Sequence, residues 1–425
     1  MCWSWSPPPI STNPDGADRR HDDASDGVLI RAARVFDGVR LIDADSVLVR
    51  DGLIVEVGSR RALPRGVRIV AGRSGTLLPG LIDSHTHALR IENLVEALAF
   101  GVTTELDMFC VPPHAQRLRH AAANRSDLAD FRSAGIGAAA PGGPPTHLVK
   151  RGLYPPFPTL SGPREAESFV AARVAEGADY VKVFAGARGG GTGAAPKHAA
   201  LSEESVRAVV AAAHTHGKKV FVHAEGGAAV RMALDAGADA LAHHPEATDL
   251  TADLLGRLSE RGRFVIPTVS ATAGFVPTAP SSAARAPSPE RDLYVDGVLR
   301  LTNAMHRAGV PLLAGSDAIP VFGHGIGLHR ELELLVEAGL TPAQALAAAT
   351  SVPAACVGLT DRGRIATGLR ADLLLVDGDP TRDIAATRAL RAVWRAGVET
   401  GPATFRARRR IEVLAPGGLW AAVDR

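Results

Sequence analysis

The sequence contains few cysteines and few aromatic residues. Aromatic residues make up 4% of the 425 residues, and the three cysteines, Cys2, Cys110 and Cys356, lie far apart. Without a Cys-x-x-Cys pair, the sequence argues against both a disulfide framework and a cysteine-based zinc site. This cysteine usage is typical of a reducing compartment, so we expect a cytoplasmic protein.

The chain also lacks an excess of charge and a long apolar run. Its 47 basic and 45 acidic residues leave a net charge of +2, which argues against a nucleic-acid or membrane-surface partner. No apolar run approaches the roughly 20 residues that span a bilayer. Residues 1–27 lack the apolar middle of a secretory signal, and we predict a disordered tail there. The alternative is an arm that packs on a partner subunit through Trp3 and Trp5.

The two ends of the chain have a β-rich pattern. Residues 28–78 and 361–425 contain short alternating apolar and polar segments that break at glycine or Asp-Gly, a pattern typical of strands and tight turns. Because the same alternating pattern occurs on both sides of a long middle segment, we expect the two ends of the chain to pack together. The predicted product is one small composite β-sandwich domain.

The middle of the chain, residues 79–360, alternates apolar strands with Ala-rich helical segments. Such alternation predicts an α/β fold with parallel strands. Eight repeats of this size favour a (β/α)₈ TIM barrel. An open doubly wound sheet is the alternative, but the first strand is followed by DSHTHALR rather than a glycine-rich phosphate fingerprint. The eight strand candidates are 81–87, 101–109, 134–140, 179–186, 219–225, 238–244, 263–270 and 310–318.

The sequence also predicts two helix starts and two long loops. Ser202 is a predicted N-cap with Gly217 closing the same helix, and Thr341 is a predicted N-cap with Pro342 at the first helical position. Pro- and Gly-rich segments at 141–158 and 271–289 follow the third and seventh strands. Loops of this length are usually functional or disordered.

Potential metal ligands recur where predicted strands end. His85 and His87 are two positions apart, so a strand would point both to one side. His223, His243 and Asp317 each end a later apolar strand. In a barrel these ends meet at one face, and imidazole with carboxylate suits a metal such as Zn²⁺. The pattern predicts a metal site.

Lys182 stands inside the apolar segment YVKVF. A buried, unpaired ammonium is costly and tends to lose its charge. One interpretation is a lysine that points toward the metals. The other is a lysine at the barrel rim whose head reaches solvent or an acidic partner.

The sequence resembles the amidohydrolase superfamily, close to its imidazolonepropionase-like and prolidase-like branch. The matching motifs include LLPGLIDSHTH, ADYVKVF, KVFVHAE, ADALAHH, LLAGSDA and GRIATGLRADLLLVDGDP, in this order from residue 28 onward. The resemblance implies a (β/α)₈ barrel with a β-sandwich built from both ends. It also implies that two metals are held by His85, His87, a carboxylated Lys182, His223, His243 and Asp317.

The resemblance further implies a function. Divalent metals, expected to be two Zn²⁺, would activate a water for cleavage of an amide or peptide-like C–N bond in a small molecule. Asp317 would be the general base and later return the proton to the leaving group. The carbamate on Lys182 would derive from CO₂. The resemblance also implies a homo-oligomer.

Two alternatives stay open. The first is a deaminase or cyclic amide or imide hydrolase with one metal, an unmodified Lys182, and Glu225 assisting Asp317. The second is a barrel that binds a metal or ligand without turnover. Three further histidines are candidates for substrate contact, because each lies next to a ligand or on a loop after a strand: His147, His244 and His324.

Overall fold

The computed structural model describes residues 27–59, 65–150, 154–186, 199–224, 226–244, 251–273, 289–319 and 323–400. Residues 1–26 of the predicted N-terminal tail, most of the predicted loop at 271–289, and Glu225 lie outside these ranges. In the described ranges no helix is both long and apolar enough to cross a bilayer.

The strands divide into one group at the two ends of the chain and one group in the middle. In chain order they are β1 (Val28–Phe36), β2 (Leu41–Ile42), β3 (Ser46–Arg50), β4 (Leu53–Gly58), β5 (Arg68–Pro79), β6 (Leu81–Thr86), β7 (Val102–Asp107), β8 (Asp130–Ser133), β9 (Val181–Gly186), β10 (Val220–Ala224), β11 (Ala240–Ala242), β12 (Phe264–Ile266), β13 (Leu373–Asp377), β14 (Leu390–Arg395) and β15 (Val398–Glu399).

The helices alternate with the middle strands and continue after them. They are α1 (Ile91–Ala99), α2 (Pro112–Asn124), α3 (His147–Lys150), α4 (Ala166–Ala175), α5 (Glu203–Thr215), α6 (Gly227–Asp235), α7 (Ala252–Leu258), α8 (Val269–Thr272), α9 (Pro289–Arg307), α10 (Ile326–Glu337), α11 (Pro342–Ala348) and α12 (Ser351–Val357), with short 3₁₀ helices at Pro163–Glu165 and Ile384–Arg388.

The helix-capping predictions are confirmed. The Ser202 hydroxyl accepts a hydrogen bond from the Ser205 N–H at the start of α5, and Gly217 follows the helix with a φ of +65°. Thr341 caps α11 in a reciprocal arrangement with Gln344. These contacts satisfy N–H groups that the first helical turn leaves unpaired.

The end strands form one mixed eight-stranded sheet. Its order is β15-β14-β13-β5-β1-β3-β4, with β2 paired to β1. The link between the chain ends is the antiparallel pair of β5 and β13, in which Leu78 stands opposite Leu374. Strands from both ends therefore share a sheet; the two-layer sandwich stays a prediction.

The middle strands form a TIM-barrel-like ring. Strands β6, β7 and β8 pair in parallel, as do β9 to β12. Isolated parallel bridges then join these two sheets, at Ala138 with Val183, at Val265 with Leu312, and at Thr86 with Ala318. All the carboxyl ends of these strands consequently face the same side, which we call the C-terminal rim.

Two of the predicted barrel strands differ in the structure. The third begins earlier, at Asp130–Ser133, and only Ala138 of the predicted 134–140 segment pairs with β9. Gly135, with a φ of +64°, interrupts the extended backbone. The eighth, predicted at 310–318, pairs through isolated bridges at Leu312 and Ala318, and Asp317 between them has a φ of +55°.

An apolar cluster fills the ring beneath the C-terminal rim. Ile82, Phe221 and Phe264 come from different strands and belong to one buried cluster. The rings of Tyr180 and Phe221 lie 4.6 Å apart, and those of Phe221 and Phe264 lie 5.4 Å apart. The barrel is therefore a packed core rather than a channel, and polar groups at the rim rest on this apolar floor.

Candidate metal centre

The two histidines at the end of β6 face Asp317. His85 Nε2 lies 3.4 Å and His87 Nε2 lies 3.2 Å from Asp317 Oδ1. The backbone sets this approach, because the Asp317 N–H donates to the His85 carbonyl at 2.8 Å and the His87 N–H donates to the Ala318 carbonyl at 2.8 Å. The prediction that side chains from the first and eighth strands meet agrees with these distances.

His243 stands between His85 and His223. Its ring centroid lies 5.0 Å from that of His85 and 4.5 Å from that of His223. His243 Nδ1 is 2.8 Å from the Thr268 hydroxyl oxygen. This contact fixes the imidazole orientation, as partners of metal-binding histidines commonly do.

Three residues at this rim have left-handed backbone without being glycine. His243, Thr268 and Asp317 have φ values of +73°, +46° and +55°. Such conformations are strained for side chains with a Cβ and concentrate at functional sites. Here they turn His243 and Asp317 out of the strand direction toward His85.

Lys182 is buried in β9 on the same side of the ring. Its side chain is 1% exposed, and its Nζ has no hydrogen-bond partner among the described residues. Burial lowers the pKa of Lys182 to about 7, although the negative charges of Asp317 and Asp107 act to raise it. At neutral pH a lysine with this pKa exists in comparable amounts as ammonium and amine, and the rim interpretation with a solvent-exposed head does not fit its burial.

His85 and His243 are held in the neutral form that metals require. Burial lowers the pKa of His85 and His243 well below the ordinary value, and nearby Lys182 and the other imidazoles lower the pKa further. Neutral imidazole nitrogens have a free lone pair for a cation.

The residues present fit a divalent metal. His85, His243 and Asp317 can each offer one ligand atom, with all three atoms within 4.8 Å of one another. Buried polar atoms without a partner also gather here, namely Nδ1 of His85, Nδ1 of His87 and Nζ of Lys182. A set of imidazoles with one carboxylate is typical of zinc and related metals.

Two buried carboxylates support this site, and the sequence interpretation missed both. Asp83 accepts hydrogen bonds from the His85 N–H and from Ser316, while Asp107 accepts from the Ala88 N–H and the Ser133 hydroxyl. Both are fully buried. The available signal was an acidic residue inside an apolar strand, in LIDSHTH and TTELDMF.

The secondary candidates occupy different environments. His147 is exposed at the start of α3, and His244 is buried next to His243. His324 is also buried, and its Nδ1 lies 2.7 Å from Glu105 Oε1, with both side chains at 0% exposure. In this structure His324 faces an acidic residue rather than an open loop surface.

The structure has a ring of parallel strands whose C-terminal rim carries imidazoles, a lysine and a carboxylate. This combination is typical of metal-dependent hydrolases of the TIM-barrel class. Residues 76–401 match the profile of the Amidohydrolase family, and the chain belongs to that family. It is thus a hydrolase that acts on carbon–nitrogen bonds, from a family that generally uses divalent metals.

Individual relatives agree with this assignment. The chain is 29% identical to the imidazolonepropionase of Deinococcus radiodurans over 395 residues, which cover 85% of this chain and 93% of that protein. Among solved structures it resembles a putative prolidase from Bifidobacterium longum, with a TM-score of 0.73, 25% identity, and coverage of 91% and 99% of the two chains. A Xaa-Pro dipeptidase with bound methionine has a TM-score of 0.74 at 24% identity, with coverage of 88% and 99%.

Proposed function

We propose that this chain is a binuclear metal-dependent amidohydrolase that cleaves an amide or peptide-like C–N bond of a small molecule. The observation that carries the proposal is the approach of Asp317 to His85 and His87 within 3.4 Å at the C-terminal rim, where His223, His243 and buried Lys182 also lie. When bound, the metals supply Lewis acidity and lower the pKa of water.

The ligands divide between the two metals. His85, His87 and Asp317 would hold one metal, and His223 with His243 would hold the other. Lys182 would bridge them as a carbamate: its Nζ lone pair forms a bond to the carbon of CO₂, and one N–H proton leaves to solvent. The resulting anion suits a buried position beside two cations better than an unpartnered ammonium does.

Asp317 is the proposed general base. Its Oδ1 would accept the proton of the attacking water and then return that proton to the leaving nitrogen. The carboxylate is suited to this because it stands at the rim, with a side chain 24% exposed, whereas His85 is buried beneath it.

A second candidate is a cyclic amide hydrolase with a single metal. The compact trio of His85, His243 and Asp317 favours it, as does the similarity to an imidazolonepropionase along most of the chain. In this case Lys182 stays unmodified and Glu225 would assist Asp317.

The proposal extends to the metal, the cellular location, the oligomeric state and the domains of the protein. The metal is Zn²⁺, and the protein is a cytoplasmic homo-oligomer. Residues 28–78 and 361–425 would form a β-sandwich beside a barrel at 79–360, although residues 401–425 lie outside the described ranges. The separate apolar cluster that joins Ile30, Val47 and Trp394 supports this arrangement.

The deciding experiment is a substrate screen with metal-loaded and chelator-treated protein. The panel contains N-acyl amino acids, dipeptides, cyclic amides and imides, and lactones. We expect hydrolysis of an amide that disappears with chelator and returns with Zn²⁺. Hydrolysis that is indifferent to chelator, or absent throughout, would overturn the proposal.

Two variants separate the one-metal and two-metal accounts. Lys182→Ala should abolish turnover in the binuclear account and leave most of it in the mononuclear account. Lys219→Ala is the matched control, because Lys219 pairs with Asp239 at 3.1 Å near the start of β10, at the opposite end of the ring. Asp317→Asn should remove turnover in both accounts.

A further inference from the structure

Four aromatic side chains gather beside the candidate metal centre. Phe109 follows β7, Phe184 lies in β9, and Tyr154 and Phe157 lie in the segment after α3. The whole chain has only 12 phenylalanines and 3 tyrosines, so this grouping is a marked concentration. We call these four residues the aromatic wall.

Phe109 is the centre of the aromatic wall. Its ring centroid lies 4.9 Å from Tyr154, 4.9 Å from Phe157 and 6.0 Å from Phe184, and each pair meets edge to face. This arrangement places the positive edge of one ring against the negative face of another, which stabilises the group as a unit.

The aromatic wall is continuous with the metal ligands. The Phe184 ring centroid lies 5.7 Å from that of His223 and 5.6 Å from Lys182 Nζ. At the other end of the wall, burial raises the pKa of the Tyr154 phenol. The negative charges of Asp107 and Asp317 raise this pKa further. A substrate held between Lys182 and Asp317 would therefore have these rings beside it.

The four rings of the aromatic wall differ in their exposure. Phe109, Tyr154 and Phe184 are 1%, 6% and 7% exposed, whereas Phe157 is only partly buried. Phe157 therefore keeps part of its surface accessible while its ring packs against buried Phe109. All four rings are uncharged, so a carboxylate would lose its hydration against the ring faces without gaining a positively charged partner.

We propose that the aromatic wall binds an apolar side chain of the amide substrate, with an aromatic group bound best. This inference rests on the proposed amide hydrolysis and names the substrate class of the same site. Phe157 would be the principal specificity residue, with Phe109 holding it in place. A phenyl group on the substrate would add one more edge-to-face contact to those already present.

The first test compares amides that differ only by a phenyl group. The probes are N-acetyl-L-phenylalanine, N-phenylacetylglycine and N-acetylglycine with the zinc-loaded enzyme. At least one phenyl probe should exceed N-acetylglycine in kcat/KM by about 10-fold or more. Phe157→Ala should lower kcat/KM for the preferred phenyl probe by far more than it lowers kcat/KM for N-acetylglycine. An equal loss for all probes would indicate a packing role and overturn the proposal.

Conservative variants distinguish a loss of substrate contact from a loss of stability. Phe157→Leu keeps an apolar side chain and should keep part of the phenyl preference. Phe169→Leu is the matched control, because Phe169 is buried in α4 and packs under Arg173. It should lower thermal stability without changing the ratio between probes, and a similar change of ratio in both variants would contradict the proposal.

A binding measurement separates this inference from the proposed reaction. Phenylacetate should bind at least about 10-fold more tightly than acetate by calorimetry, and Phe157→Ala should remove the difference. If no amide is hydrolysed but this phenyl preference persists, the aromatic wall is supported and the proposed reaction is wrong. If amides are hydrolysed without any phenyl preference in rate or binding, the reaction stands and the aromatic wall is refuted.

Discussion

The carboxylate of Asp83 accepts two hydrogen bonds from Ser316, one from the backbone N–H at 2.9 Å and one from the hydroxyl at 2.5 Å. Asp83 lies in β6 two residues before His85, and Ser316 immediately precedes Asp317. The same carboxylate accepts the His85 N–H at 3.2 Å. One buried carboxylate therefore connects the two segments that carry the candidate ligands His85 and Asp317.

Removal of the Ser316 hydroxyl should loosen this connection. We expect Ser316→Ala to lower zinc affinity by about 10-fold and the free energy of unfolding by about 1–3 kcal/mol. Zinc titration with a competing chelator and thermal denaturation measure the two effects. Ser205→Ala, a buried serine at the start of α5, should leave zinc affinity unchanged; a wild-type affinity in Ser316→Ala would contradict the role given to Asp83.

Gly137 leaves room for Lys182 and Phe184. A Cβ at Gly137 would lie 2.6 Å from Phe184 Cε2 and 3.1 Å from Lys182 Cγ. Because the first distance is too short for any real contact, Gly137→Ala should shift these side chains and reduce kcat/KM by about 10- to 100-fold.

The matched control for Gly137 is Gly186 at the end of β9. Within the described residues, a Cβ there would meet only Ala229 Cβ at an ordinary 3.6 Å, so Gly186→Ala should retain activity within about twofold of the wild type. Equal activities of the two variants would show that Gly137 does not position Lys182.

A buried ion cluster joins the ring to the end sheet. Asp130 in β8 pairs with buried Arg362, and Arg370 and Arg395 lie 3.4 and 3.6 Å from its carboxylate. Burial alone would raise the pKa of Asp130, but the charges of Arg362, Arg132 and Arg370 outweigh it and hold this pKa well below the ordinary value.

The low pKa of Asp130 has a defined consequence for stability. A carboxyl whose pKa is lower in the folded state stabilises the fold above its unfolded pKa, near 4, and loses this effect as the pH falls. Asp130→Asn should therefore lower the free energy of unfolding by about 3 kcal/mol at pH 7. Its difference from the wild type should shrink below pH 4.

Chemical denaturation at pH 7, 5 and 3 measures the contribution of Asp130. Asp127→Asn is the control, because the Asp127–Arg125 pair is exposed and should contribute at most about 1 kcal/mol. A loss for Asp130→Asn that stays constant from pH 7 to pH 3 would contradict the electrostatic explanation.

The grouping of the candidate ligands at one rim could be predicted because they lie at the ends of apolar strands. His85, His223, His243 and Asp317 share this position in the sequence, and parallel strands bring such ends to one rim. The ligand pattern thus follows from local sequence and from one rule of topology.

The supporting contacts could not be predicted, because they depend on packing between distant segments. His324 reads as a loop histidine, yet it contacts Glu105, 219 positions away. Tyr154 and Phe157 lie in a Pro-rich stretch whose sequence says nothing of Phe109. Left-handed backbone at His243 and Asp317 likewise depends on tertiary contacts that override strand preference.

The metal content of the purified chain tests the central proposal most directly. After zinc loading and dialysis, elemental analysis by mass spectrometry should find close to two zinc ions per chain, and His223→Ala should retain one at most. His214→Ala is the control, because His214 pairs with Asp239 at the surface, and it should retain both. A wild-type chain that holds no zinc would contradict the account.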